Sequence, residues 1–225
     1  MKYYSVAIDG PAGAGKSTMA RRAAQTLGFV YVDTGAIYRA VACAVLRAGV
    51  QPENGEAVAA LLPRMQMRLD WTPDGVQHVY LNEEDLNEQL RRPEVSDAAS
   101  KVSALPAVRR FLLDTQRDVA KTHHVIMDGR DIGTVVLPDA DVKIFLSASA
   151  EVRARRRWLE LQAAGRPDTY EEVLHDMNER DYRDMHRAAA PLVCAPDAQT
   201  VDTSELSLEE SVAEILKIIR EKTGL

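Results

Sequence analysis

Apolar positions along the chain take two forms. Short unbroken runs end in polar residues: residues 4–9, FVYVD (29–33), HVIMDG (124–129), DVKIFLS (141–147) and the shorter QTVDTS (199–204). Such runs read as strands buried on both faces. Between them, apolar residues recur at helical spacing. Met19, Ala20, Ala23, Ala24 and Leu27 make one stripe, closed by Gly28 at a left-handed cap position. Residues 206–222 make another, with Leu208, Val212, Ile215, Leu216 and Ile219 on its apolar face. Five strands alternating mostly with helices predict an α/β fold, a doubly wound parallel sheet flanked by helices.

Two stretches depart from this alternation. MQMRLDWTPDGVQHVYL (65–81) has period-2 patterning around Pro73, Asp74 and Gly75, and predicts a β-hairpin in an inserted substructure. EVRARRRWLELQ (151–162) and residues 169–187 read as two charged helices joined by a loop at Gly165, Arg166 and Pro167, a hinged flap over the site. Ligands of such sheets bind beyond the carboxyl ends of the strands. Here those ends read IDGPAGAGKS, VDTG, MDGRD and VDTS.

The first of these ends carries specific chemistry. Residues 10–17, GPAGAGKS, satisfy G-x-x-x-x-G-K-[ST] between a strand and a helix. Glycines let successive backbone N–H groups curl around a phosphate, and the helix N-terminus adds its positive end. The fold class is therefore a P-loop NTPase, with Gly10, Pro11, Ala12, Gly13, Ala14, Gly15, Lys16, Ser17 and Thr18 as the ATP-binding set. Lys16 would reach the β- and γ-phosphates and the Ser17 hydroxyl would ligate Mg²⁺. Asp128, at a strand end, would either hold Mg²⁺ through waters or act as a structural hydrogen-bonding group.

Composition narrows the partners. With 225 residues, 46 % of them apolar, one core with insertions is favoured over two domains. A net charge of −6 and 5 % aromatics argue against a general nucleic-acid or anionic-membrane binder. Cys43 and Cys194 lie far apart, no histidine or cysteine cluster has metal-ligand spacing, and no stretch approaches a membrane span or a signal peptide. A reducing cytoplasm is the expected compartment.

A P-loop does not name the phosphoryl acceptor. A hydroxyl acceptor would want a carboxylate to take its proton, whereas a phosphate monoester is already ionised and needs cations against anion repulsion. Arginines are placed for the second case: Arg39 and Arg130 follow strand ends, and Arg180, Arg183 and Arg187 fall at i, i+3 and i+7 of one predicted helix, interleaved with Asp181 and Asp184.

IDGPAGAGKST, VDTGAIYRA, AAS (98–100), DGRDIGTVV (128–136), KIFLSAS and ERDYRDMHRAAAPL (179–192) together resemble the bacterial cytidylate kinases, in order over nearly the whole chain. That resemblance implies phosphoryl transfer from ATP, with Mg²⁺, to CMP and dCMP. It implies that Arg39, Arg130 and Arg187 grip the monophosphate. Ser100, Arg109 and Asp131 would face cytosine, Arg180 and Asp184 the ribose, and Thr34 would hydrogen-bond substrate. Arg153 and Arg157 in the flap are further candidates for transition-state charge, with Arg157 placed in the nucleotide-binding set. The implied organisation is a core (1–33, 113–150, 188–225), a monophosphate-binding insertion at about 34–112 with a small antiparallel β element, and a helical lid at about 151–187. A monomer is the implied state. The alternatives are a P-loop kinase acting on shikimate or a sugar acid, and a nucleotide-responsive binding protein without transfer activity.

Overall fold

The structure, a computed structural model, describes residues 2–225. Five parallel strands form the main sheet: β1 (Ser5–Asp9), β2 (Val30–Asp33), β6 (Val125–Gly129), β7 (Val142–Ser147) and β8 (Gln199–Asp202), in the spatial order β2-β6-β1-β7-β8. Each lies within a run expected from the apolar pattern. The flanking Tyr4, Phe29, His124 and Asp141 fall just outside the ladder.

Alternation along the strands feeds two cores. Val6 and Ile8 of β1, Ile126 of β6 and Ile144 and Leu146 of β7 pack against α1 (Lys16–Leu27) and α8 (Leu208–Thr223). Ala7, Val125 and Met127 face the other way, toward α2 (Thr34–Arg47), α4 (Pro93–Val102) and α5 (Pro106–Thr122). A sheet sandwiched between helices buries both faces, which is why the strands read as unbroken apolar runs. On α8, Ile215 and Ile219 are fully buried as the periodicity requires, joined by Ile218, while Leu208, Val212 and Leu216 are partly buried.

Helix ends follow local chemistry. Gly28 closes α1 in the left-handed region at φ 68°. The Asp33 carboxylate caps α2 by accepting from Ala36 N–H, and Ser207 with Glu210 forms a capping box on α8.

The 65–81 hairpin forms as β3 (Met67–Trp71) and β4 (Gln77–Leu81), antiparallel, with a third strand, β5 (Glu84–Asp85), that the pattern did not indicate. Its side chains dress the edge of the main sheet. Trp71 Nε1 donates to Tyr31 O at 2.9 Å; the Gln77 side chain accepts from Asp33 N–H at 2.7 Å and donates to Asp33 O at 3.3 Å. The short α3 (Gly55–Leu61) lies between α2 and this sheet in sequence.

The charged helices are α6 (Ala150–Ala163) and α7 (Tyr170–His186), packed on each other. Thr169 and Glu172 form a capping box at the start of α7. The helix stops one residue earlier than expected: Arg187 has ψ 141° and is the C-cap, so it leaves the helix face it was expected to share with Arg180 and Arg183. No helix among the described residues is long and apolar enough to cross a membrane.

Candidate functional site

Parallel register brings the strand ends to one level. Asp33 of β2 stands opposite Asp128 of β6, and Asp9 of β1 opposite Gly129. Beyond these ends lies a cavity of about 420 Å³. One end is lined by Ala12, Gly13, Gly15, Lys16, Ser17 and Thr18, the other by Tyr38, Arg39, Ser100, Arg109, Asp131 and Arg187. Arg130, Arg180 and Asp184 lie between the two sets in the same wall. Seven cationic side chains line it against five acidic ones, in a chain whose net charge is −6. The local field favours anions.

The phosphate-type loop is shaped by close approach. Gly10 has φ 149°, and a Cβ there would stand 2.0 Å from Leu146 O on β7. No other residue fits. Lys16 is buried, and its Nζ donates to Pro11 O at 2.7 Å. Burial pushes its amine well below the ordinary lysine range, and the neighbouring Arg130 adds to the effect. Gly10, Pro11 and Ala14 build the loop without lining the cavity.

Asp128 sits beneath this loop. Ser17 Oγ donates to its Oδ2 at 2.9 Å and Tyr31 OH to its Oδ1 at 2.7 Å, while Thr34 Oγ1 donates to its backbone carbonyl at 2.7 Å. Desolvation, with Asp33 nearby, raises the Asp128 carboxyl above its ordinary range. Thr34 is thereby committed to the β6 backbone, although it lines the cavity.

At the far end Asp131 is held from two sides. Arg187 Nη2 donates to Oδ1 at 3.2 Å, and Arg109 Nη2 donates to Oδ2. Both arginines also reach Ser103: Arg109 its carbonyl at 3.1 Å, Arg187 its hydroxyl at 3.4 Å. Arg109 lies over the Tyr38 ring, 5.6 Å from its centroid. An ionised carboxylate has about four lone-pair sites, so Asp131 retains acceptor capacity.

Between the ends, Arg130 Nε donates to Asp184 Oδ2 at 2.9 Å. Burial alone would raise the Asp184 carboxyl, but Arg130 and Arg180 outweigh it and hold it low. Arg180 is pushed down to about 10, by burial first and by Arg130 second. Arg39 pairs with Asp33 at 2.9 Å. Two buried polar atoms on this wall lack a protein partner, Ser100 Oγ and Arg180 Nε. Buried polar groups are rarely left so, and both suit a polar ligand.

Other arginines take different places. Arg153 is buried and serves the loop backbone and Asp181, away from the cavity. Arg157 is exposed and pairs with Glu160 at 3.1 Å, and it does not line the cavity. Arg183, three residues after Arg180, points to Asp97 at 3.6 Å outside it. Tyr38, Ser103 and Glu160 line the cavity and were not indicated by the sequence, and of the arginines crowding the first flap helix, Arg153, Arg155, Arg156 and Arg157, it is Arg156 that lines it. Arg156 is tied to Thr203 at the end of β8, through Oγ1 at 3.2 Å and O at 2.6 Å.

Comparison with known proteins gives the chain's relatives. The family model described as cytidylate kinase matches residues 6–221. A cytidylate kinase of Desulfitobacterium hafniense is 48 % identical over 98 % of this chain and 94 % of its own length. One of Carboxydothermus hydrogenoformans is 49 % identical over 98 % and 99 %. Among solved structures, an uncharacterized protein from Eubacterium ventriosum superposes with a TM-score of 0.52 at 10 % identity, covering 96 % of this chain and 98 % of that one, a likeness of fold alone.

Proposed function

The chain belongs to the cytidylate kinase family, and from that membership we propose that it transfers the γ-phosphoryl group of ATP to CMP and dCMP. It is a nucleoside monophosphate kinase with ATP as donor. The observation that carries the reading is the single cavity joining the phosphate loop to a carboxylate clamped between Arg109 and Arg187.

In this reading the loop amides and Lys16 hold the donor, with Lys16 exchanging the Pro11 carbonyl for phosphate oxygens. Arg39, Arg130 and Arg187 screen the acceptor phosphate, while Arg180 and Asp184 take the ribose. Preorganised cations aimed at developing charge act strongly in a water-poor cavity. Ser100, Arg109 and Asp131 read the base. Asp131 accepts from the exocyclic amine of cytosine, where uracil presents a carbonyl that the carboxylate repels. Sites built around a buried hydrogen-bonding group discriminate well, because the wrong substrate leaves that group unpaired.

Mg²⁺ fits the residues present. The Ser17 hydroxyl and Asp128 carboxylate, 2.9 Å apart, are hard oxygen donors beneath the loop. Among the described residues no cluster of three His, Cys, Asp or Glu could cage a metal, which suits an ion that keeps waters and takes further ligands from phosphates. Bound there, it would neutralise charge on the β- and γ-phosphate oxygens. The helices α6 and α7 act as a lid over the donor, within about 151–187, residues of about 34–112 carry the acceptor, and the remainder is the core. Two unpaired cysteines suit the reducing cytoplasm, and a monomer is the state that family membership implies.

A coupled assay of ADP release with ATP and Mg²⁺ tests the reading, offering CMP, dCMP, UMP, AMP and shikimate separately. Fast turnover with CMP and dCMP, slow turnover with UMP and none with AMP or shikimate is expected. Turnover of none of the five would overturn it.

A further inference from the structure

Asp9 is the last residue of the central strand and is 5 % exposed. Its two oxygens are spent on two amides of another segment: Oδ1 accepts from Ile132 N–H at 2.8 Å and Oδ2 from Gly133 N–H at 2.7 Å. Asp9 forms no ion pair among the described residues.

Those amides open a single π turn, Ile132–Val136, which follows Asp131 directly. The first N–H groups of any helical turn lack intrahelical partners. The residue just before the turn usually supplies the acceptor, and an aspartate is well suited to it. Asp131 occupies that position and makes no such bond. Its carboxylate turns instead to Arg109 and Arg187 in the cavity. Asp9 does the capping in its place, from the neighbouring strand. Because Gly10 follows Asp9 in the chain, the same residue begins the phosphate loop.

We propose that Asp9 is a positioning residue for base selection: by capping the turn after Asp131 it frees that carboxylate for the base and fixes its distance from the phosphate loop. The inference rests on the reading of Asp131 as the cytosine acceptor. It implies that damage at Asp9 is felt by the acceptor nucleotide and not by the donor.

Steady-state kinetics of Asp9→Asn and Asp131→Asn with ATP, CMP and UMP test this. Asn is isosteric but keeps one acceptor oxygen, and its amide opposes the second N–H. The expected result for Asp9→Asn is a KM for CMP raised about tenfold and a CMP-over-UMP preference reduced about tenfold, with the KM for ATP within about twofold. If Asp131→Asn loses the preference while Asp9→Asn keeps it, the inference on Asp9 is overturned and the reading of Asp131 survives. If Asp131→Asn keeps the preference, the reading of Asp131 fails and the inference with it. A rise in both KM values alike, or a fall in kcat alone, would mark a general structural role and also overturn it. Should Asp9→Asn fail to fold, Gly133→Ala decides on the same two ratios. Its Cβ would crowd the Lys143 side chain at 3.2 Å and meet Asp9 Oδ2 only in ordinary contact at 3.4 Å, so it displaces the capped turn while leaving the carboxylate in place.

Discussion

The Arg153 guanidinium donates at once to Ala12 O, 2.8 Å away, and to the Asp181 carboxylate, 2.6 Å away, while Asp181 accepts from Ala12 N–H at 3.1 Å. A buried ion pair between α6 and α7 thus grips both backbone polar groups of one loop residue, with Val173 and Met177 of α7 packed on the Ala12 side chain. Removing one partner of such a pair leaves an uncompensated charge. Asp181→Ala is expected to cost about 3–5 kcal/mol in urea unfolding, and the double variant Arg153→Met, Asp181→Leu less than that single change. A double variant as costly as the sum of the singles would show that the pair does not act as a unit.

Lys16 sets function against stability. Its buried amine is held below the ordinary range by desolvation, so the charge is costly to the fold at neutral pH. Lys16→Met should lower kcat by about 100-fold or more, as loss of a transition-state donor does, while the melting temperature stays level or rises. Calorimetry and the coupled assay on the same preparation check both directions.

Asp9 gives a pH signature. Burial lifts its carboxyl to about 6 from an ordinary 3.8, against the pull of the two amides. A carboxyl with a raised folded pKa binds its proton more tightly in the folded state. Its contribution is fully present below about 4 and lost as the pH climbs through about 6. Between pH 4 and pH 7 the wild type should therefore lose about 2 kcal/mol relative to Asp9→Asn. Urea midpoints of the two proteins across that window measure it, and parallel curves would contradict it.

Gln77 stands in for a backbone strand on Asp33, accepting from its N–H and donating to its carbonyl. Gln77→Ala leaves both groups short of a partner and should cost about 1–3 kcal/mol. Because the Asp33 side chain also holds Arg39, at 2.9 Å, a modest rise in the KM for CMP is expected alongside. An unchanged KM would separate the edge contact from the acceptor site.

How far the sequence carried depended on whether a signal was local. Strand runs, the glycine loop, the stop at Gly28 and the carboxylates at strand ends need only their neighbours in sequence to be read. Asp128 was visible because it ends a strand, yet both of its roles were open until Ser17 and Tyr31 were seen to donate to it. Asp9 at a strand end and Asp181 among the arginines were visible as positions, but their roles were not, since the amides they hold lie 123 or more residues away in the one case and 169 in the other. The arginine row on α7 misled in part. Arg183 stands about 60° round the helix from Arg180, on the side away from Asp184, and there pairs with Asp97 outside the cavity, while Arg187 reaches Asp131 only because the helix ends before it. Tyr38 and Ser103 enter the site through tertiary packing, and residue type alone does not mark them.

The small sheet has a consequence for how copies of this chain meet. A strand at the border of a sheet exposes unpaired amides and carbonyls, a template on which a strand from another molecule can assemble. On β2 that border is occupied by Trp71 and Gln77, which take up Tyr31 O and both backbone groups of Asp33. Side chains cannot propagate a ladder as a strand would. The insertion thereby stops growth of the sheet from this side, and protects a concentrated solution of the protein from strand-by-strand association through its most apolar layer.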